Sequence, residues 1–301
     1  MNTGLRPTPI DPRDKHFRFD RIFGATAVFP AEYDADAGMT MPDQNADARD
    51  TECTAYTIVD IGTDQDRELY SADYQYMKTL QVMGVPPDFE GANARTAFKM
   101  PVAFGLLKKA LEPKEMKKSS QAWAAQPSRW PLELDALAVK KPAYLPIYPS
   151  GQDWFDAIRS ALTLGKKEKR TVGIATPWYA EFTDAERGVL PEDAATLTNW
   201  HMYKVSGWTA KHVNGDLIRG GEVFLKVKPW LGKKRGDKGW YYLSRPLAAK
   251  LLKQWGTYAA TMRDVPEDTI EERKAREVTL LETVIALMQN LIIELRYKLR
   301  I

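Results

Sequence analysis

The chain contains very little cysteine and histidine. Cys53 is its one cysteine in 301 residues, and the three histidines are His16, His201 and His212. A single cysteine cannot form a disulfide within the chain, which is typical of proteins from reducing environments. The sequence also lacks clusters of histidine, cysteine and acidic residues at metal-ligand spacing, and a glycine-rich phosphate loop before a helix. We therefore expect no bound metal and no cofactor.

Long apolar runs and strong net charge are missing as well. The best candidate for a membrane span, residues 284–295, is too short and includes Gln289, Asn290 and Glu294. Residues 1–9 contain no apolar core of a secretory signal. A net charge of +3 is too small to indicate a nucleic-acid partner. We expect a chain without signal peptide, transmembrane segment or bound nucleic acid.

The predicted elements are mostly helices in the first half and strands in the second. Residues 1–30 are rich in proline, arginine and aspartate, which predicts an extended arm. Helical periodicity covers residues 53–62, 71–82, 92–104 and 153–162, and strand-like runs cover residues 171–176, 203–208, 222–227 and 240–243. This order favours an α+β fold in which a helical half faces a β-rich half.

Four stretches form a recognisable series along the chain. Cys53-Thr54-Ala55-Tyr56 opens one helix, and residues 71–76 begin the next. A helix and a strand follow at residues 156–175, and His201 opens a run that ends at Gly207-Trp208 and leads into a tryptophan-rich tail. In order and in sequence, the series resembles the papain-like cysteine peptidases in their compact bacterial and phage style. The resemblance covers residues 11–247.

The resemblance implies a papain-like fold of two subdomains with an appended C-terminal helix that resembles a coiled coil. It divides the chain into an extended arm (1–30), a helical subdomain (31–140), a β-rich subdomain (141–247) and a C-terminal helical oligomerisation segment (248–301). It also implies that Cys53 is the nucleophile and His201 the general base, because a thiolate requires a partner that accepts its proton. The two side chains are then expected on facing subdomains.

Three features depart from the family pattern and predict a degenerate active site. Lys228 stands where the family has the asparagine that orients the histidine, and its ammonium disfavours an imidazolium nearby. Gln44 is the candidate oxyanion donor, but it lies further from Cys53 than usual, and Asp47 stands at the usual spacing. Glu52, next to the cysteine, is expected to raise the pKa of the thiol.

The segment after Pro266 runs to residue 301 without glycine or proline. Its apolar residues alternate by three and four, as in a coiled coil. A second apolar stripe beside this seam favours three or more helices, and a helix folded back on its own domain remains the alternative. The seam consists of Val278, Leu281, Ile285, Met288, Ile292, Leu295 and Leu299.

Three functions are compatible with these features. The first is a structural or interaction protein with an inactive papain-like domain. It is a homo-oligomer, trimeric or larger, that joins other virion proteins in the tail of a bacteriophage, and it is found in the virion or the host cytoplasm. The second is an active cysteine peptidase or amidase that uses Cys53 and His201 on peptide or cell-wall substrates. The third, a nucleic-acid binder that uses basic loops, has the least support.

Overall fold

A computed structural model of the chain describes residues 5–6, 29–39, 43–44, 51–85, 90–113, 116, 130–147, 153–163 and 170–263. The chain divides into two compact units, Met1–Asp264 and Val265–Ile301. The predicted oligomerisation seam and most of the predicted arm lie outside the described residues. Among the described helices, none combines the length and the apolar character that crossing a bilayer requires.

The predicted helices form close to their expected positions. Their bounds are α1 (Cys53–Asp66), α2 (Ala72–Met83), α3 (Ala94–Ala103), α4 (Trp130–Leu137), α5 (Trp154–Thr163), α6 (Ala180–Thr183) and α7 (Arg245–Leu252). Ser71 caps α2 because its hydroxyl accepts a hydrogen bond from the backbone of Tyr74. α1 continues beyond Gly62, its predicted end, to Asp66. The glycine serves close packing inside the helix, since a Cβ there would lie 2.6 Å from Leu106 Cδ1.

One antiparallel sheet forms the centre of the described structure. The strands are β1 (Leu5–Arg6), β2 (Tyr33–Asp34), β3 (Ala92–Asn93), β4 (Ala143–Pro146), β5 (Val172–Tyr179), β6 (Leu197–Thr209), β7 (Phe224–Lys228), β8 (Tyr241–Leu243) and β9 (Tyr258–Arg263). The order in the sheet is β4-β9-β5-β6-β7-β8, and β2 pairs with β6. β1 and β3 form a separate parallel pair.

Helices cover both faces of this sheet. Trp154 of α5 and Leu247 of α7 pack on the face that carries Tyr203. Ile58 of α1 packs on the opposite face with Met202. Successive residues of a strand point to opposite faces, so β6 contributes to both clusters. We call these clusters the α5 core and the α1 core. The predicted α+β class is confirmed, with the sheet between two helical layers.

Strand β9 differs from the sequence prediction. Residues 248–301 are predicted as a helical oligomerisation segment, yet residues 258–263 pair with both β4 and β5 inside the sheet. Ala259 lies in the α5 core, whereas its neighbours Tyr258 and Ala260 lie in the α1 core. The strand is short and alanine-rich, and so few residues carry too little periodicity to distinguish a strand from a helix.

Candidate active site

Cys53 is the first residue of α1, and its side chain is completely buried. Burial raises the pKa of the Cys53 thiol to about 12, although hydrogen bonds from the backbone of Met202 and Thr54 act in the opposite direction. The sequence assigns this effect to the neighbouring Glu52, whereas in the structure its main cause is desolvation. A thiol with such a pKa is protonated at neutral pH.

His201 lies on β6 and is also completely buried. Its Nε2 lies 2.7 Å from the carbonyl oxygen of Pro229. A carbonyl oxygen can only accept, so Nε2 carries the proton, and Nδ1 is buried without a hydrogen-bond partner in the described part of the chain. Burial lowers the pKa of His201 to about 4, and the bond to Pro229 offsets this only in part. The imidazole is therefore neutral at pH 7.

The imidazole of His201 packs on aromatic side chains of the sheet. The imidazole lies edge-on to Trp178, with ring centroids 4.9 Å apart, and stacks on Tyr203 at 6.1 Å. Both aromatic residues belong to the α5 core. Cys53 and Met202 belong to the α1 core. The backbone N–H of Met202, the residue after His201, donates to the thiol, so the sulfur atom lies beside this part of β6.

Lys228 does not act on the imidazole. Its side chain is completely buried, and its Nζ lies 3.1 Å from Asp60 Oδ2 and 3.3 Å from Asp36 Oδ1. The next residue, Pro229, supplies the acceptor for His201 through its carbonyl group. A backbone oxygen thus fixes the tautomer of His201, while the cation of Lys228 is paired with carboxylates.

An ion cluster connects α1, the segment after β2 and the sheet. Lys204 Nζ lies 2.5 Å from both Asp36 Oδ1 and Asp60 Oδ2, and 2.6 Å from Asp64 Oδ2. Lys228, directly opposite Lys204 on β7, binds two of these carboxylates, Asp36 and Asp60. We call these five residues the ion cluster. Buried charges are found in proteins when they are paired in this way.

The ion cluster is not among the sites predicted from the sequence, although the sequence contains one signal for it. Asp60 and Asp64 follow Cys53 and Thr57 at a spacing of three and four residues along α1. This spacing places all four on one side of the helix, and carboxylates on a buried side require cationic partners.

The pKa values of two carboxyl groups in the ion cluster are shifted in opposite directions. Burial raises the pKa of Asp64 to about 6, although the ammonium of Lys204 opposes this. Burial would also raise the pKa of Asp36, but Lys204 and Lys228 together hold it at about 2. The carboxylates of Asp36, Asp60 and Asp64 lie close enough together to hold a cation. The ammonium of Lys204 already lies among them, so the group does not fit a metal ion.

Gln44 lies beside Trp230, and its side chain is completely buried. Its backbone N–H donates to the carbonyl oxygen of Trp230 at 3.1 Å, while both side-chain amide atoms lack hydrogen-bond partners in the described structure. Trp230 has a φ of 63°, which is uncommon for a residue with a side chain. Its indole donates to Thr57 Oγ1 at 3.1 Å, so the tryptophan fills the α1 core. Asp47 lies outside the described residues.

Comparisons with known proteins identify the fold. No model of a known protein family matches the sequence, and no curated protein matches it. Xylellain, a cysteine protease from Xylella fastidiosa, is 15% identical with a TM-score of 0.66 over 88% of this chain and 97% of its own. ProCathepsin B S9 from Trypanosoma congolense is 13% identical with a TM-score of 0.56, covering 87% of this chain and 84% of its own.

A third structure similar to this chain is the proform of Amb a 11, a cysteine protease and major ragweed pollen allergen. It is 17% identical with a TM-score of 0.58, over 84% of this chain and 71% of its own. Identities this low show a shared fold and do not transfer an activity. The predicted papain-like fold is therefore confirmed.

Proposed function

We propose that this papain-like chain is a structural or interaction protein whose active-site residues are not catalytic. The observation that carries the proposal is the complete burial of both Cys53 and His201. A nucleophilic cysteine requires a lowered thiol pKa and a base that accepts its proton. Here burial shifts the pKa of the thiol up and that of the imidazole down, so both groups favour their neutral forms.

The contacts along α1 support the same proposal. Thr57 accepts a hydrogen bond from Trp230, and Asp60 and Asp64 bind Lys204. These contacts hold the side of the helix that carries Cys53 against the sheet. Cys53 is completely buried, so a substrate carbonyl does not reach its sulfur atom in this arrangement.

We expect Cys53 to react slowly with iodoacetamide at every pH from 5 to 9. At pH 7 the folded protein should be alkylated at least about 100-fold more slowly than the chain in denaturant, since the thiol is buried and protonated. The rate should rise with pH without a plateau. Mass spectrometry of the labelled protein measures the rate, and a Cys53→Ser variant shows the background.

A fast rate that is independent of pH, and that is lost in His201→Ala, would contradict the proposal. That outcome would support the alternative, an active cysteine peptidase or amidase that acts on peptide or cell-wall substrates. Among the described residues Nδ1 of His201 has no hydrogen-bond partner. This favours the alternative, because a general base needs a fixed tautomer with a vacant acceptor. Release of product from a casein or peptidoglycan substrate provides the second readout.

The proposal extends to assembly in a bacteriophage particle. The chain forms a homo-oligomer, trimeric or larger, through the apolar seam at residues 278–299, and the oligomer binds other virion proteins at the tail. The support is the seam pattern and the resemblance to compact phage-style members of the family. Both supports come from the sequence.

We expect the purified protein to have at least three times the mass of one 34.1 kDa chain. Replacing Leu281 and Ile285 together with aspartate should give a single-chain mass, because two charges in a seam prevent helix association. Glu282→Gln changes a residue outside both apolar stripes and should leave the mass unchanged. Light scattering at micromolar concentration measures this, and a wild-type monomer would refute the assembly proposal.

A further inference from the structure

A pocket of about 410 Å³ lies where the end of β6 meets β2, β7 and β8. Its described lining residues come from these four strands, from Glu32 and from the hairpin that follows β6. Neither Cys53 nor His201 is among these described residues. The volume is at the lower end of the range for small-molecule pockets. The pocket therefore suits a ligand of about the size of an amino acid and is separate from the candidate active site.

The hairpin after β6, residues 210–218, forms one side of the pocket. Its ends are joined by a hydrogen bond of 2.8 Å from Ile218 N to the carbonyl oxygen of Ala210. Its tip is fixed to the neighbouring loop, because the backbone N–H of Val213 donates to Asp237 Oδ2 at 2.6 Å. These bonds hold the pocket in its shape before any ligand arrives.

The charged groups of the pocket are separated by sign. Both carboxylates, Glu32 and Asp34, belong to β2 and the residues before it, whereas the ammonium groups are those of Lys226 on β7 and Lys211 in the hairpin. β2 and β7 pair with β6 on opposite sides, so that Asp34 and Lys226 flank Gly207. The two backbones are therefore two strand spacings apart, about 9–10 Å. An acidic side of the pocket thus faces a basic side.

Two ion pairs connect these sides. Glu32 binds Lys211 at 2.9 Å, but the two side chains are 45% and 49% exposed, so the pair is screened by water and opens at little cost. Asp34 binds Lys226 at 2.6 Å, and the ammonium lies 4.0 Å from the ring centroid of Trp240. The four charges sum to zero. A ligand with a single charge would leave one side without a partner, whereas a ligand with both charges replaces each partner that it displaces.

Apolar surface and one buried polar group complete the lining. Val213 is 43% exposed and lines the pocket together with Tyr33 and Tyr242. His212 also lines it but is only 8% exposed, and its Nδ1 has no hydrogen-bond partner in the described part of the chain. Asp237 Oδ2 lies 3.3 Å away without hydrogen-bond geometry, and it already accepts from the hydroxyl of Tyr242 at 2.6 Å. A buried polar group without a partner is expected where a ligand completes a site.

We propose that this pocket binds a linear zwitterion, in which an aliphatic chain separates an ammonium group from a carboxylate. The ammonium binds Glu32 and Asp34. The carboxylate binds Lys211 and Lys226, and the chain packs on Val213. In an α-amino acid both charged groups are attached to one carbon atom, which is too short a span for sides that belong to strands two spacings apart. The proposed function is not a premise of this inference, because the candidate active site takes no part in it.

Binding of 6-aminohexanoate to the full-length protein is the direct test, measured by isothermal titration calorimetry. Hexanoate and hexylamine have the same chain with one charge each. They should bind at least about tenfold more weakly, because each loses the hydrogen bonds of one charged group. Equal binding of the three compounds, or no saturable binding of 6-aminohexanoate, would overturn the proposal.

Two variants test the two sides separately. Lys226→Met removes a cation from the basic side, and Glu32→Gln removes a charge from the acidic side. Each should weaken the binding of 6-aminohexanoate at least about tenfold, while circular dichroism shows an intact fold. Lys233→Met is the matched control, because Lys233 is exposed and is not among the described lining residues. Wild-type affinity in both Lys226→Met and Glu32→Gln would refute the site.

Free ω-amino acids and a lysine at the C-terminus of a peptide share the proposed chemistry, and Nα-acetyl-lysine distinguishes them. It carries the side-chain ammonium and the free carboxylate of such a lysine, whereas its amide lacks the carboxylate. Binding of Nα-acetyl-lysine but not of its amide supports recognition of a chain end. Binding of 6-aminohexanoate alone supports a free ω-amino acid. If neither zwitterion binds, the pocket proposal is refuted, whatever the reactivity of Cys53.

Discussion

Replacing Lys204 with methionine is expected to lower the free energy of unfolding by about 3–5 kcal/mol. Lys204 is completely buried and binds Asp36, Asp60 and Asp64 within 2.6 Å. Without its ammonium, the three carboxylates share Lys228 as their one cation within the ion cluster. Removing one partner of a buried ion pair leaves an uncompensated charge, which costs more than the pair itself contributes. Urea unfolding, followed by circular dichroism, measures the loss.

Lys226→Met is the matched control for this prediction. Lys226 is on β7 and binds Asp34 at 2.6 Å, but that carboxylate is 42% exposed, so water screens the pair. Loss of such a pair costs less than about 1 kcal/mol. Adding Asp64→Asn to Lys204→Met should recover at least half of the loss, because it restores the original excess of one carboxylate. Equal losses in the two single variants would refute the structural role of the ion cluster.

The pH dependence of the same variants follows from Asp64. Its pKa is raised to about 6 in the folded protein, mainly by burial, so folding favours its protonated form. The contribution of Asp64 to stability therefore increases as pH falls from about 6 to about 4, and is lost as pH rises through 6. Asp36, with a pKa of about 2, behaves oppositely, and its contribution is lost as pH falls below about 4. The deficit of Lys204→Met should thus be smaller at pH 5 than at pH 8.

Local patterns in the sequence predicted much of the fold. Helix α1 begins at Cys53 as predicted, and strands β5 to β8 form where short β-branched and aromatic runs alternate. Such patterns depend on residues within one turn or one strand. The ion cluster depends on pairing Asp60 with Lys204 and Asp36 with Lys228, across 144 and 192 positions of sequence. The periodicity of nearby residues does not determine which of these distant side chains form ion pairs.

The face of the sheet to which the His201 side chain points is a second feature that the sequence does not predict. The spacing of His201 before Gly207-Trp208 correctly indicates a strand residue. Which face that residue occupies is set by the register of β6 against β5 and β7, and a shift of one residue exchanges the two faces. Met202 therefore meets the thiol, while His201 packs on Trp178. A motif specifies residue types and spacing, but not this register.

Gly207→Ala is expected to destabilise the protein by about 3 kcal/mol, because overpacking against backbone forces a strand to move. A Cβ at this position would lie 1.9 Å from the carbonyl oxygen of Tyr33, the first residue of β2. β2 lies directly against β6 there, and the next bond, from Ala35 N to Ser206 O, is 2.8 Å long. Displacing β2 also withdraws Asp36 from the ion cluster, so the substitution affects two parts of the structure.

Gly38→Ala distinguishes this close approach from the general cost of replacing a glycine. Gly38 follows the same strand and has a φ of 71°, but a Cβ there would meet nothing within 4 Å. Its replacement should cost about 1 kcal/mol, the usual penalty for a side chain in the left-handed region. Hydrogen exchange at the amide of Ala35 should accelerate in Gly207→Ala and remain slow in Gly38→Ala. Unchanged protection in Gly207→Ala would mean that β2 tolerates the methyl group, and that the glycine before Trp208 has a role other than admitting β2.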